Sequence, residues 1–350
     1  MAVNLTSPTV TLPSIFSSTH ASASSGWWMR TCNRSKFAAA KSKWRLPCRK
    51  MRQCDPFYGR LMQGGLVFRE SFTIRSYELG TDCRATMEAL MNYLQETALN
   101  HCRSIGLLAD GFGSTRDLAC VATKLQIVVD NYPLWNSIVE VDTWMFAPDR
   151  NGMRREWLIR DLETGKTMVK AVSMLVMMNK ETRRISKLPE EIRLEIEGHT
   201  MNQGPIIVID STKLQPLNTK TAHYFQTGFA PRWSDLDVNN HVNGVKYISW
   251  ILEAIPQSIL ENHEFHAMTI EYRRECRRDS LLQSLSTRVR DGPGHTAEDE
   301  GIEFDHLLLL KNGLEIARAR TKWRPRCSAA TGNSFQFLGG KAQSRDQDQA

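Results

Sequence analysis

The chain has 350 residues, of which 41% are hydrophobic and 24% are charged, a globular composition with enough residues for two domains. It contains no run of about 18 apolar residues, so we expect no membrane span. The net charge of +7 does not indicate a nucleic-acid partner. All of the basic excess lies in residues 1–54, which contain no acidic side chain.

Both ends of the chain are expected to lie outside the fold. Residues 1–50 are rich in arginine, and 12 of the first 31 residues are Ser or Thr. This composition is typical of an organelle transit peptide, and the apolar segment of a secretory signal is missing. A basic tail without a targeting role is the alternative. Residues 327–350 are polar and are predicted to be disordered.

The folded part begins with a strand pattern and then a helix pattern. Residues 66–77 partly alternate apolar and polar side chains and include aromatic and β-branched residues, which favours a strand. Apolar side chains from Met87 to Leu99 recur at helical spacing, and we expect the helix to end near Gly106. Residues 110–115 are predicted to form a loop.

Four strands complete this first unit. They are predicted at Leu118–Val129, Ile138–Phe146, Met153–Asp161 and Thr167–Asn179. Gly165 supplies the turn between the last two strands. A long helix followed by consecutive antiparallel strands predicts an α+β fold. We place the N-terminal domain at residues 51–180.

A linker and a second copy of the unit follow. Residues 181–222 are polar, contain three prolines and are predicted to be a linker with a short surface helix at Leu188–Glu197. In the C-terminal domain, residues 223–326, an offset of 157 places Arg232 on Arg75 and keeps several apolar helix positions. Later strands correspond at other offsets. We therefore predict a duplicated module whose two sheets join edge to edge, which would cover edges prone to aggregation.

The stretch Trp233–Tyr247 in the second copy is dense in polar side chains. They precede an apolar helix predicted from Val245 to Ile255, and they are Asp235, Asp237, Asn239, Asn240, His241 and Asn243. The repeat places Gly80, Asp82 and Arg84 of the first copy on Asp237, Asn239 and His241. If these polar residues served only the structure, we would expect the same residue types in both copies. The difference therefore favours a function carried by the second copy alone.

A second patch, Glu271–Cys276, is predicted to lie on a strand. Glu275 or Cys276 is then expected near the start of the helix, beside His241, whose ordinary pKa is close to neutral. A histidine, carboxylates, an amide and a thiol suit hydrolysis of an activated acyl group by a water or by a thiolate. One histidine with nearby acids is an incomplete zinc site, so no metal is expected.

Each of these residues also has a purely structural interpretation. Asp235, Asp237 and Asn239 are suited to turns and to capping the following helix, which is the role favoured for Asp235. His241 is nearly as compatible with a structural histidine, and Cys276 with an inert buried thiol. Four arginines fit either a solvated face or a contact with an acidic partner. They are Arg273, Arg274, Arg277 and Arg278.

Seven motifs between residues 55 and 326 carry a family resemblance. They are Gln95–His101, Asp110–Thr115, Asn151–Arg155, Val176–Lys180, Trp233–Asn243, Glu271–Cys276 and Trp323–Arg326. Together they resemble the plant plastid acyl-ACP (acyl carrier protein) thioesterases, and details such as Ile74–Tyr77 are similar to the FatB branch, which prefers saturated chains. The resemblance implies tandem hotdog folds, each a long helix wrapped by an antiparallel sheet. It also implies hydrolysis of fatty acyl-ACP in the plastid stroma, which terminates fatty acid synthesis and needs no cofactor.

The resemblance further implies which residues act. Catalytic positions fall on Asp237, Asn239, His241 and Glu275, while Cys276 stands where an older thiol-nucleophile scheme placed its cysteine. We favour the scheme without an acyl-enzyme, in which Glu275 and His241 activate a water. Asn239 then polarises the thioester carbonyl and Asp237 supports the geometry. The implied partner is acyl carrier protein bearing a fatty acyl chain, with much of the acyl tunnel in the first module.

Several alternatives remain open from the sequence. One is a non-catalytic module that binds acyl chains or acyl carrier protein, although the presence of all the implied catalytic residues argues against it. Others are an oleoyl-ACP thioesterase, an acyl-CoA thioesterase or a dehydratase of the same fold. A homodimer is one alternative for the oligomeric state. Cys120 stands where relatives usually have Trp, so the preferred chain length is left open.

Overall fold

The computed structural model describes residues 59–107, 118–208, 213–220, 222–237, 239–289 and 301–326. The chain divides into a unit of residues 1–48 and a unit of residues 49–350, and every described residue belongs to the second unit. The predicted leader, tail and loop at 110–115 therefore lie outside the described residues.

The first module is one long helix packed against antiparallel strands. Helix α1 spans Met87–Ser104, in agreement with the apolar periodicity. It begins where Thr86 Oγ1 accepts a hydrogen bond from the Ala89 N–H (3.2 Å), and it ends just before Gly106, which has a left-handed φ of 83°. The strands are β1 Arg60–Met62, β2 Val67–Thr73, β3 Leu118–Val129, β4 Ile138–Phe146, β5 Gly152–Asp161 and β6 Thr167–Asn179.

The segment predicted as a linker lies against the first module. It contains α2 (Glu190–Glu197), two residues shorter at its start than expected, and β7 (Thr200–Met201), which pairs in parallel with β4. Ile196 of α2 is fully buried. Further along, the Ile206 N–H donates to Oε2 of the buried Glu156 (3.2 Å). The segment is therefore anchored by apolar burial and by backbone hydrogen bonds.

The second module repeats the order of the first. Its elements are β8 Tyr224–Phe229, α3 Gly244–Leu252, α4 Gln257–Asn262, β9 His263–Tyr272, β10 Leu282–Arg288, β11 Ile302–Leu310 and β12 Glu315–Pro325. The prediction of a helix from Val245 to Ile255 is wrong at its end, because α3 stops at Leu252. Pro256 separates α3 from α4, because proline cannot continue a helix but is tolerated at the start of one.

The two modules share one continuous antiparallel sheet. Its order is β1-β2-β4-β5-β6-β3-β9-β12-β11-β10-β8, with β7 paired to β4 off this path. The modules meet where β3 pairs with β9, with Leu125 opposite Ile270, which confirms the predicted edge-to-edge junction. Side chains of α1 and α3, including Leu94 and Ile251, belong to one hydrophobic core. No helix in the described ranges is long and apolar enough to cross a membrane.

Equivalent turns before α1 and α3 confirm the repeat. In the first, the Arg75 N–H donates to the Glu78 carboxylate (2.8 Å). In the second, the Arg232 N–H donates to the Asp235 carboxylate (2.7 Å). Asp235 therefore caps its own 3-10 turn, whereas the N-cap of α3 is Asn243. The prediction that Asp235 caps the following helix is wrong, because the chain turns once more between the two.

Candidate active site

One carboxylate organises the loop between β8 and α3. Asp237 Oδ1 accepts hydrogen bonds from the Asn239 N–H (2.8 Å) and the His241 N–H (3.1 Å). The Asp237 N–H donates to the His241 carbonyl (2.7 Å). Asn240 has a left-handed φ of 60°, which asparagine tolerates, and Cys83 has a φ of 59° at the equivalent place in the first copy. Asp237 thus holds a tight loop from which the His241 side chain projects.

His241 faces Glu275, the carboxylate that follows β9. The Nε2 atom of His241 lies 3.3 Å from Oε1 of Glu275. Next to the pair, the Val242 N–H donates to the Cys276 carbonyl (3.0 Å) and ties the two segments together. The structure therefore brings together two side chains that are 34 residues apart in the sequence.

The strand predicted for Glu271–Cys276 is wrong after its first two residues. β9 ends at Tyr272, after which the N–H groups of Arg273 and Arg274 both donate to the Ile316 carbonyl of β12, so alternation along a strand does not place Glu275. Glu271 lies elsewhere: its buried carboxylate accepts the Leu214 N–H (3.0 Å) and pairs with Arg273 (2.7 Å). Glu271 therefore anchors the connecting segment and takes no part in this site.

The structure adds one group that the sequence did not indicate. The guanidinium of Arg183, in the turn after β6, pairs with Oε2 of Glu275. Arg183 belongs to the stretch predicted as a linker, and its neighbour Arg184 is also basic. No periodicity or spacing distinguishes one from the other, so only the contact identifies Arg183.

The pKa of His241 lies below its ordinary value. Burial is the main cause, the positive charges of Arg183 and Arg277 act in the same direction, and the Asp237 carboxylate opposes them. The imidazole is therefore neutral near pH 7 and has a free nitrogen lone pair. A neutral histidine beside a carboxylate is suited to accepting a proton from a water.

Cys276 does not share this environment. Its side chain is 1% exposed, and its backbone N–H donates to Tyr247 Oη (2.8 Å). Burial raises the pKa of the Cys276 thiol to about 11. Because the thiolate is the nucleophilic form, a buried thiol with a raised pKa is a poor nucleophile near neutral pH.

Asn239 is exposed beside Asp237. Its Nδ2 atom lies 3.4 Å from Asp237 Oδ2, so the carboxylate orients the amide. The side chain offers N–H donors to an incoming carbonyl oxygen. The residues that the structure describes contain no group of three His, Cys, Asp or Glu that could hold a metal ion.

An open pocket of about 500 Å³ adjoins the His241 loop. It is lined by Trp233, Leu236, Asn240, Arg277, Arg278 and Asp279. The Arg278 guanidinium lies over the Trp233 ring, 5.4 Å from its centroid. Neither Arg277 nor Arg278 forms an ion pair with a carboxylate in the described part of the chain. The pocket therefore offers two available positive charges, partly offset by Asp279, to a negatively charged group.

Comparison with known proteins places this chain in a family. Residues 65–196 match the model of the acyl-ACP thioesterase N-terminal domain, and residues 218–325 match that of the C-terminal domain. The chain is 52% identical to the chloroplastic palmitoyl-acyl carrier protein thioesterase of Gossypium hirsutum, over 87% of this chain and 76% of the relative. It is 51% identical to the protein of the same name from Arabidopsis thaliana, over 84% and 74%.

Solved structures agree with these matches. The 12:0-ACP thioesterase from Umbellularia californica is 46% identical and aligns with a TM-score of 0.69, covering 75% of this chain and 95% of that one. An acyl-ACP thioesterase from Bacteroides thetaiotaomicron shares the fold at 19% identity and a TM-score of 0.62, covering 75% and 100%. The predicted tandem hotdog fold is thereby confirmed, and the chain belongs to the acyl-ACP thioesterase family.

Proposed function

We propose that this chloroplast enzyme hydrolyses saturated acyl-ACP, with palmitoyl-ACP as its preferred substrate, in the plastid stroma. The main support for hydrolysis is the 3.3 Å distance between His241 Nε2 and Glu275 Oε1, because a neutral imidazole beside a carboxylate is suited to accepting a proton from a water. The substrate preference rests on the relatives from Gossypium and Arabidopsis, which are named for palmitoyl chains. Two relatives named for dodecanoyl chains are less similar, at 45% and 48% identity.

In the proposed reaction, Glu275 and His241 hold a water and accept its proton as the water oxygen bonds to the thioester carbonyl carbon. Asn239 donates a hydrogen bond to the carbonyl oxygen, which becomes negatively charged. The carbon–sulfur bond then breaks, and the departing thiolate recovers the proton. Asp237 keeps Asn239 and His241 in place throughout. No bond forms between the substrate and the protein.

We assign the acyl chain mainly to the first module. That module has a helix and sheet equivalent to those of the second. Gly80, Asp82 and Arg84 stand where the second module has Asp237, Asn239 and His241. A copy without the reacting groups is free to serve as binding surface for the apolar chain. The long helix α1 contributes Leu90 and Leu94, both fully buried, to the hydrophobic core beside which we expect the acyl chain to lie.

The substrate proposal has a direct test with the full chain. Palmitoyl-ACP is expected to release free fatty acid faster than oleoyl-ACP, lauroyl-ACP or palmitoyl-CoA at equal concentrations. The measurement is the initial rate of fatty acid release, resolved by chain length. Absence of hydrolysis of any acyl-ACP would contradict the enzyme proposal, and a clear preference for the CoA thioester would contradict the role of the carrier protein.

We also propose that the carrier protein approaches over Arg277 and Arg278. A phosphopantetheine arm carries the thioester at one end and a phosphate diester at the other, next to the carrier protein, and the pocket beside the His241 loop holds two available guanidinium groups. Guanidinium groups bind phosphate and carboxylate oxygens in two-pronged hydrogen bonds. Trp233, whose side chain is largely exposed, gives the same surface an apolar contact.

Reversing both charges, Arg277→Glu with Arg278→Glu, is expected to raise KM for palmitoyl-ACP about tenfold or more, because attraction becomes repulsion. The effect on kcat is expected to be smaller, and the difference from wild type is expected to shrink in high salt. The matched control is Arg103→Glu with Arg288→Glu, two exposed arginines outside the pocket. Equal rises in KM for both double variants would mean that only net charge matters.

A further inference from the structure

A structured turn from the first module reaches the site of the second. After β6, the Asn179 side chain accepts hydrogen bonds from the Glu181 N–H (3.0 Å) and the Thr182 N–H (2.7 Å). The Arg183 N–H donates to the Asn179 carbonyl (2.9 Å), and the Asn179 N–H donates to the Arg184 carbonyl (2.9 Å). The path of the chain is therefore set by Asn179, and Arg183 projects from a defined position.

Arg183 adopts a conformation that its residue type rarely takes. Its φ is 56°, in the left-handed region that glycine enters freely and a long side chain does not. Glycine would relieve that cost at this position. The position therefore carries an arginine although its backbone favours glycine, which directs attention to what the guanidinium contacts.

The guanidinium contacts one oxygen of Glu275 while the other oxygen faces His241. Arg183 pairs with Oε2, and Oε1 lies 3.3 Å from His241 Nε2. The three side chains are between 23% and 34% exposed, so they form a chain of polar groups at an open face. An ion pair this exposed contributes little to folding stability. Its main effect is on where the Glu275 carboxylate points.

We propose that Arg183 is a positioning residue for the hydrolysis: it holds the Glu275 carboxylate so that its other oxygen faces His241 and the attacking water. The inference rests on the proposed function, because it assigns Arg183 to the pair that activates the water. It also means that the site is completed across the module boundary, since Arg183 follows β6 while Glu275 follows β9. A glutamate has several side-chain rotamers, and the guanidinium selects one of them.

Four charged groups act on His241, and they determine the sign of the expected pH effect. Glu275 and Asp237 favour the imidazolium, whereas Arg183 and Arg277 oppose it. Removing Arg183 deletes one positive charge near His241, leaves the negative charge of Glu275 without its arginine partner and exposes the imidazole to more water. All three changes raise the pKa of His241. Because the neutral imidazole is the active form, activity is then lost at a higher pH on the acid side of the profile.

The test compares Arg183→Gly and Arg183→Ala with the matched control Arg184→Ala in the full chain. Both Arg183 variants are expected to lower kcat for palmitoyl-ACP about tenfold or more, since small misplacements of reacting groups have effects up to about 10². KM is expected to change little, and the acid limb of kcat is expected to move up by on the order of one pH unit. Arg183→Lys is expected to recover part of the rate. Arg184→Ala is expected to match wild type.

A second measurement separates this inference from the proposed function. The His241 imidazole is titrated by NMR, with His241→Gln identifying its signal, in wild type and in Arg183→Gly. A higher pKa of His241 in Arg183→Gly would show that Arg183 acts on the His241–Glu275 pair, whereas active His241→Gln and Glu275→Gln variants would show that the proposed function itself has failed. An unchanged His241 titration together with an unchanged kcat in Arg183→Gly would overturn the proposal. Equal losses of kcat in Arg183→Gly and Arg184→Ala would also overturn it.

Discussion

His241→Ala and Glu275→Ala are each expected to lower kcat for palmitoyl-ACP by about 10³-fold, within the range that positioned acid–base groups contribute. The two side chains face each other at 3.3 Å, and neither is needed to complete the hydrophobic core. Removal of either leaves the water without one of its two partners. The thermal midpoint of unfolding is expected to stay close to wild type, because both side chains are partly exposed.

Cys276→Ala is the matched control for this prediction. The buried thiol lies on the residue next to Glu275, and its raised pKa leaves almost no thiolate near neutral pH. The contacts of the Cys276 backbone with Tyr247 and Val242 survive the change. We therefore expect kcat to stay within about threefold of wild type, with a loss of stability of about 1 kcal/mol from the small cavity.

Steady-state kinetics and circular dichroism on the three variants check this set together. A Cys276→Ala protein that folds normally and yet has no activity would contradict the water scheme and favour a thiol nucleophile. Detection of an acyl-enzyme by mass spectrometry after rapid quenching would do the same. A Glu275→Ala protein with wild-type kcat would remove the carboxylate from the mechanism.

Asp237→Ala is expected to lower kcat about 10²-fold, the second largest effect. The carboxylate accepts the N–H groups of Asn239 and His241, so its loss releases the loop that positions both side chains. A displacement of about 1 Å of reacting groups is enough for an effect of this size. Asp237→Asn keeps an oxygen acceptor at the same place, and we expect it to lose about tenfold or less.

Asp82→Ala is the control from the other copy. Asp82 Oδ1 accepts the Arg84 N–H (3.2 Å) in the equivalent loop of the first module, where no reacting group follows. Its replacement is expected to lower the thermal midpoint of unfolding without lowering kcat at saturating substrate. If Asp237→Ala and Asp82→Ala change kcat equally, the loop bond supports folding in general and Asp237 has no special place in the reaction.

The sequence-based predictions were accurate for long periodic segments and inaccurate at the ends of two elements. The ranges of α1, β3, β4 and β6 were predicted to within a few residues, because apolar periodicity over more than eight positions reflects burial on one face. The end of α3 and the end of β9 were missed. The apolar pattern continues to Ile255 and the strand pattern to Cys276, whereas α3 ends at Leu252 and β9 at Tyr272.

Within the site, the sequence indicated the residues that are close together along the chain but not the contact between residues far apart. Asp237, Asn239 and His241 lie within five residues, so their grouping in one loop follows from their spacing. The first copy has other residues at these three positions, which separates them from residues that only support the fold. Arg183 and Glu275 are 92 residues apart, and their contact exists because β3 and β9 join the two modules. Sequence patterns record neighbours within a turn or a strand, whereas this ion pair depends on how two sheets meet. The polar loop was therefore visible in the residues alone, and its arginine was visible only after folding.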